Sequence, residues 1–189
     1  MSDYKAPDWA EAYATARDEI WEKDPHYRGF LAALEELNNE TDRGMALVIT
    51  SFIDRMLGDI IAAFLIDNPS TKVLLSSFNA PLGTFSSKIA ACHALGLIDD
   101  DEAAEINILR KVRNEFAHQV EVSFDSGRVK DLCGNLPAVR GKDDNVRGKF
   151  TATAISMLIP LLSRPKEVAQ KRLTWGKWSQ WSEKAKQYS

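Results

Sequence analysis

The sequence predicts an all-α fold, a multi-helix bundle. Apolar residues recur at spacings of three and four through nearly every long segment, as on a helix that buries one face. Residues that cap helices stand where those segments begin and end. Strand-like alternation is confined to one short run, "VEVSF" at 120–124.

A first helix is expected from about Asp8 to Glu22, and a second in "DPHYRGFLAALEELNNE", with Asp24 as cap and Pro25 at the first helical position. In the second, Phe30, Leu31, Leu34 and Leu37 form the apolar stripe. The longest helix opens at Thr41 or Asp42 and stops before Asn68-Pro69. Its wide stripe runs through Ala46, Ile49, Ile53, Met56, Ile60 and Ala63, flanked by Leu47, Leu57, Ile61 and Phe64, which suits the centre of a bundle. On it Asp54, Arg55 and Asp59 read as solvated. "NPSTKVLLSSFNAPLG" reads as a connector with a helical turn near Val73 to Leu75.

"TFSSKIAACHALGLI" is a short helix whose left-handed cap is Gly96. In "DDDEAAEINILRKVRNEFAHQV" three aspartates sit at the positive end of the helix dipole. "FDSGRVKDLCGNL" could restart a helix where "VEVSF" could be a strand. "PAVRGKDDNVRGK" is a polar loop, "FTATAISMLIPLLSRP" another helix, and "TWGKWSQWSEKAKQY" a last amphipathic one. The expected organisation is a single domain: N-terminal helices at 1–39 packing on a helical core at 40–165, then a Trp-rich amphipathic helix at 166–189.

The bulk numbers narrow the function. The chain has 189 residues and a formal net charge of −3. That is a poor basis for coating DNA, where lysines and arginines must displace counterions. Cys92 and Cys133 have no CxxC context and read as free thiols of a reducing cytoplasm. The N-terminus lacks the apolar run of a secretory signal, and "IIAAFLI" at 60–66 is too short to span a bilayer. His26, His93 and His118 have no ligand spacing, so no metal and no cofactor are expected. His93 reads as ordinary packing. "RGKF" at 147–150 lacks the preceding glycine-rich loop of a phosphate-binding motif, and Arg140, Lys142, Arg147 and Lys149 read as a solvated loop. Trp175, Trp178 and Trp181 make a stripe that could dock on its own domain or meet a partner.

"KVRNEFAHQV" at 111–120 concentrates the remaining chemistry. On a helical wheel Ile106, Ile108, Leu109, Val112 and Phe116 fill one arc, and Asn107, Arg110, Lys111, Asn114 and Glu115 the other. Arg110, Asn114 and His118 fall four apart, as a ridge. Arg113 falls at the edge of the apolar arc, about 140° from His118. There it should pair with a carboxylate on a neighbouring helix, with Asp42, Asp54 and Asp59 as candidates. Arg113 and His118 could share a cleft only between helices, near a frayed helix end, or across a two-fold interface.

Three stretches, "ETDRGMALVITSFIDRML" at 40–57, "APLGTFSSKIAACHALGLI" at 80–98 and "ILRKVRNEFAH" at 108–118, together resemble the mannitol operon repressor family in order and spacing. The resemblance implies an all-helical fold and a transcriptional regulator that acts through a partner protein rather than by binding DNA directly. In that reading Asp42, Arg43, Arg110, Arg113, Asn114 and His118 line a polar pocket or interface between two long helices. Arg113-Asn-Glu-Phe-Ala-His118 also resembles the R-x4-6-H signature of HEPN domains, many of which are dimeric, metal-independent ribonucleases. That resemblance implies a HEPN-like bundle and an alternative function, RNA cleavage through the ribose 2′-hydroxyl. His118 would be the general acid or base, Arg113 would stabilise phosphate charge, and Asn114 would orient one of them. A protein partner or homodimer is expected in a cytoplasmic protein, RNA only under the alternative, and neither direct DNA binding nor a membrane.

Overall fold

The computed structural model describes residues 40–137 and 145–176. Among them are six helices and no strand. The expected helices before residue 40, the basic pair Arg140 and Lys142, and Trp178 and Trp181 lie outside the described residues.

Helix α1 spans Asp42–Phe64. Thr41 caps it by accepting the Gly44 N–H on Oγ1 at 3.1 Å, and Asp42 adds a negative charge to the first turn. Its fully buried stripe is Ala46, Ile49, Ile53, Leu57, Ile60 and Ile61. The far end is closed by other parts of the chain. Arg172 Nε donates to the Ala63 carbonyl at 3.0 Å and the Leu173 N–H to the Phe64 carbonyl at 2.8 Å, filling acceptors that a helix end leaves open.

Helix α2, Pro69–Ser76, is a complete two-turn helix where the sequence suggested one turn. Asn68 Oδ1 accepts the Thr71 N–H at 3.1 Å, and Pro69 starts the helix. Helix α3, Phe85–Ala94, begins with a reciprocal Thr84–Ser87 capping box. It ends as Gly96 predicts. With φ at +67°, Gly96 turns the chain so that the Leu97 N–H reaches the Cys92 carbonyl at 2.8 Å and its own N–H reaches the His93 carbonyl at 3.0 Å.

Helix α4, Asp100–His118, starts from a second capping box, between Asp99 and Glu102. It buries Ala103, Ile106, Leu109, Val112 and Phe116. The "VEVSF" segment forms no strand and leads into α5, Gly127–Gly134. Helix α6, Val146–Ala169, takes in the second RGK triplet, which the sequence placed in a loop. Asn145 caps it through the Arg147 N–H, and the first turn holds Arg147 and Lys149 half-buried rather than solvated: Lys149 Nζ donates to the Gly134 carbonyl at 3.0 Å, and Arg147 is tied to the start of α1. Pro160 and Pro165 lie inside α6. Each removes a donor from the helical ladder, yet Leu158 and Leu161 stay fully buried around Pro160.

Helix α1 is central and packs on α6, α4 and α3; α4 also touches α3, α5 and α6. A phenylalanine ladder links three elements at one end. Phe116 of α4 and Phe124 have ring centroids 4.9 Å apart, and Phe124 and Phe150 of α6 5.1 Å apart. This ladder fixes the last two turns of α4, which carry Arg113, Asn114 and His118. No helix among the described residues is long and apolar enough to cross a membrane.

Candidate functional site

The last two turns of α4 meet the first turn of α1. Arg43 makes the junction: its Nη2 donates to the carbonyls of Gln119 and Val120, the latter at 2.8 Å. These are the two residues after His118, so a cation closes the negative end of α4. Asp42 faces the same junction. Its Oδ1 lies 3.2 Å from Arg147 Nε, and its Oδ2 accepts the Phe124 N–H at 3.5 Å. Arg147 also donates from Nη2 to the Glu40 carbonyl at 2.9 Å. Asp42 and Arg43 thus tie the starts of α1 and α6 to the segment that leaves α4.

The α4 residues do not converge on one another. Arg113 is half-buried and donates from Nη1 to its neighbour's side chain, Asn114 Oδ1, at 3.3 Å. Arg110 turns back one helical turn, donating from Nε to Asn107 Oδ1 at 3.4 Å. His118 is exposed at the end of the helix and makes no hydrogen bond among the described residues. The expected carboxylate for Arg113 is absent among the described residues. Asp42 lies against Arg147, Asp54 pairs with Lys88 at 2.9 Å, and Asp59 pairs with Arg55 at 3.9 Å. The absence of an ion pair at Arg113 has a simple cause. A long side chain rooted at a half-buried position reaches water with its charged end, so no desolvated charge needs a partner. Asp54 is correspondingly less solvated than the sequence suggested, while Arg55 and Asp59 are exposed as expected.

The sequence reading missed Glu115, Gln119 and Arg128. Glu115 is largely covered and takes the Arg128 guanidinium at 2.6 Å and the Gln119 side-chain amide. Arg128 comes from α5, so its meeting with α4 has no local signature. Arg147 was legible only as a surface cation.

The polar ends elsewhere are structural. His93 Nε2 lies 2.7 Å from Asp100 Oδ1 and links α3 to the start of α4, a more specific role than packing. Glu102 and Arg164 pair at 2.6 Å, both largely covered, and Arg164 also donates to the Leu97 carbonyl at 3.2 Å. Glu105 titrates above the ordinary glutamate range, because it is desolvated and because Asp101, Asp99 and Glu102 surround it. Its Oε2 is buried without a hydrogen-bond partner among the described residues. Cys92 and Cys133 are free and buried; burial pushes their thiols up to about 12 and about 11. Among the described residues no cluster of histidine, cysteine and carboxylate side chains could hold a metal ion.

The end of α4 therefore offers cationic donors and an imidazole on a rigid helix, beside a junction locked by Arg43. Such a surface can grip carboxylates or carbonyls on another molecule. No two of its side chains form a nucleophile–base pair.

No protein-family model matches the chain, and no curated protein matches it. A solved structure does. The fold is similar to that of a chain in the X-ray structure of the MtlR–HPr complex from Escherichia coli, with a TM-score of 0.51, 19% sequence identity, and alignment covering 70% of this chain and 94% of that one.

Proposed function

We propose that this chain is a regulator of the mannitol operon repressor type that acts by binding a partner protein, with HPr as the partner to test, rather than by binding DNA. One observation carries the reading: the described helices share the fold of a chain solved in complex with HPr, across nearly all of that chain. The three sequence stretches at 40–57, 80–98 and 108–118 support it independently of the fold. The acidic balance of the chain supports the part about DNA, since a net charge of −3 gives little counterion release on a duplex.

In this reading the partner meets the α1–α4 junction. Asp42 and Arg43 set the position of the α4 end, and Arg110, Arg113, Asn114 and His118 present donors along it. Among the described residues Arg113 and Arg110 each make one long side-chain hydrogen bond, which a partner carboxylate can replace at small cost. Calorimetric titration of HPr into the purified full chain tests the proposal. A saturable heat that falls severalfold in affinity in Arg113→Ala is expected. No binding by the folded wild-type chain would sink it.

The ribonuclease alternative gains nothing from the geometry: Arg113 is engaged with Asn114 rather than His118. Mixed RNA incubated without metal should stay intact with both wild type and His118→Ala. Cleavage by wild type that His118→Ala abolishes would reverse the order of the two readings.

A further inference from the structure

Between Ile106 and His118 helix α4 carries one acid, Glu115, and its carboxylate is already engaged by Arg128 and the Gln119 side-chain amide. Three permanent cations stand on the same stretch, Arg110, Lys111 and Arg113. None of them pairs with a carboxylate among the described residues. Lys111 is exposed and flanks the ridge of Arg110, Asn114 and His118 on one side, as Arg113 does on the other. The positive charge thus spreads along about 12 Å of helix. Arg43 adds a further cation at the helix end, bound to carbonyls rather than to a carboxylate. On a chain of net charge −3 this end is a local excess of unmatched positive charge.

The ridge leads to an apolar side chain. Val120 is 91% exposed and stands two residues beyond His118, so the two Cα atoms are within about 7 Å. Its backbone is held. Arg43 Nη2 takes the carbonyls of Gln119 and Val120, the Gln119 N–H reaches the Glu115 carbonyl at 3.1 Å, and the Phe124 ring lies between Phe116 and Phe150. A surface fixed before binding loses little freedom when it is covered. An apolar centre with a polar rim is the build of a protein interface. A nucleic acid fits less well. Unpaired bases stack on exposed aromatic rings, and Phe116 and Phe124 are buried.

Building on the partner-protein reading above, on which this rests, we propose that the end of α4 anchors an acidic protein surface. Carboxylates of the partner lie along Arg110, Lys111 and Arg113, and an apolar side chain of the partner covers Val120 beside Arg43. The unmatched cations supply the charge complement, and Val120 supplies the water-free centre.

Calorimetric titration of HPr into the full chain and three variants tests it. Lys111→Glu should weaken binding about fivefold or more, and Val120→Ser about threefold or more. Glu121→Gln, which removes the acid beside Val120, should tighten binding about twofold. Wild-type affinity should fall as sodium chloride is raised. All three side chains are exposed, so helical circular dichroism and the denaturant midpoint should stay at their wild-type values. HPr that binds Lys111→Glu as tightly as wild type, or Val120→Ser unchanged, overturns the proposal and leaves the partner-protein reading standing. HPr that does not bind the folded wild type overturns both. A poly-uridine oligonucleotide that displaces HPr, and whose own binding Lys111→Glu weakens, overturns the acidic-protein assignment in favour of a nucleic acid.

Discussion

Arg43 and Val120 are 77 positions apart in the chain, yet the Arg43 guanidinium donates to the Val120 carbonyl at 2.8 Å. The same nitrogen also donates to the Gln119 carbonyl. One side chain thus fixes the end of α4, where His118 stands, against the start of α1.

Arg43→Ala should lower stability by about 1–2 kcal/mol, the range for charge-assisted hydrogen bonds at a partly solvated site. The denaturant midpoint should fall without a change in slope, and amide exchange at 119–124 should speed up more than in the core of α1. An unchanged midpoint with unchanged exchange would show that the phenylalanine ladder alone holds this end.

The Glu102–Arg164 pair should behave as a covered ion pair whose halves are unequal. Glu102 serves twice, accepting the Asp99 N–H at 3.1 Å and the Arg164 guanidinium at 2.6 Å. Glu102→Ala strands Arg164 and removes half of a capping box, and should cost about 3–5 kcal/mol. Arg164→Met, which keeps packing volume and leaves Glu102 its cap, should cost much less. Equal losses from thermal unfolding would contradict this assignment.

Glu105 sets a pH dependence. Its folded carboxyl titrates above the ordinary glutamate range, so folding favours the protonated form. The native state then binds more protons than the unfolded state between the two pKa values. Its stabilising contribution is full below the unfolded value and is lost as pH rises through the folded one. Glu105→Gln, a permanent mimic of the protonated form, should raise the Tm at pH 7, with the gain vanishing below about pH 4. A Tm gain that is the same at pH 4 and pH 7 would rule out ionisation as its source.

Cys92 and Cys133 should be silent toward thiol reagents. The reactive species is the thiolate, and burial holds the two thiols at about 12 and about 11. Labelling with a disulfide reagent at pH 8 should be negligible in the folded chain and reach both cysteines in denaturant. Rapid labelling of either without unfolding would mean that α3 or α5 opens locally.

Features written in a few neighbouring residues were legible in the sequence. Thr41, Asp99 and Gly96 mark helix ends because each cap is closed within three residues, and the stripe from Ala46 to Ile61 is a property of one helix. Residues before Pro69 were harder: Asn68-Pro69 reads equally as the end of one helix and the beginning of the next, and only the Asn68 cap decides for α2. The candidate site was half legible. The wheel put His118 on the exposed side and Arg113 at the edge of the core, and the structure agrees on both. It could not show that Arg113 turns to Asn114, because Asp42 and Asp54 find cations on other elements and Asp59 finds Arg55 on its own helix. Arg43 was named as a binding residue, but its bonds go to backbone carbonyls, which every residue has and no motif marks.

Calorimetric titration of HPr into the full chain, with Arg113→Ala alongside, decides whether the end of α4 is a protein-binding surface. Saturable binding by the wild type and severalfold weaker binding by the variant are expected. A folded wild-type chain that does not bind HPr would contradict this reading, and metal-independent RNA cleavage that His118→Ala abolishes would put the ribonuclease in its place.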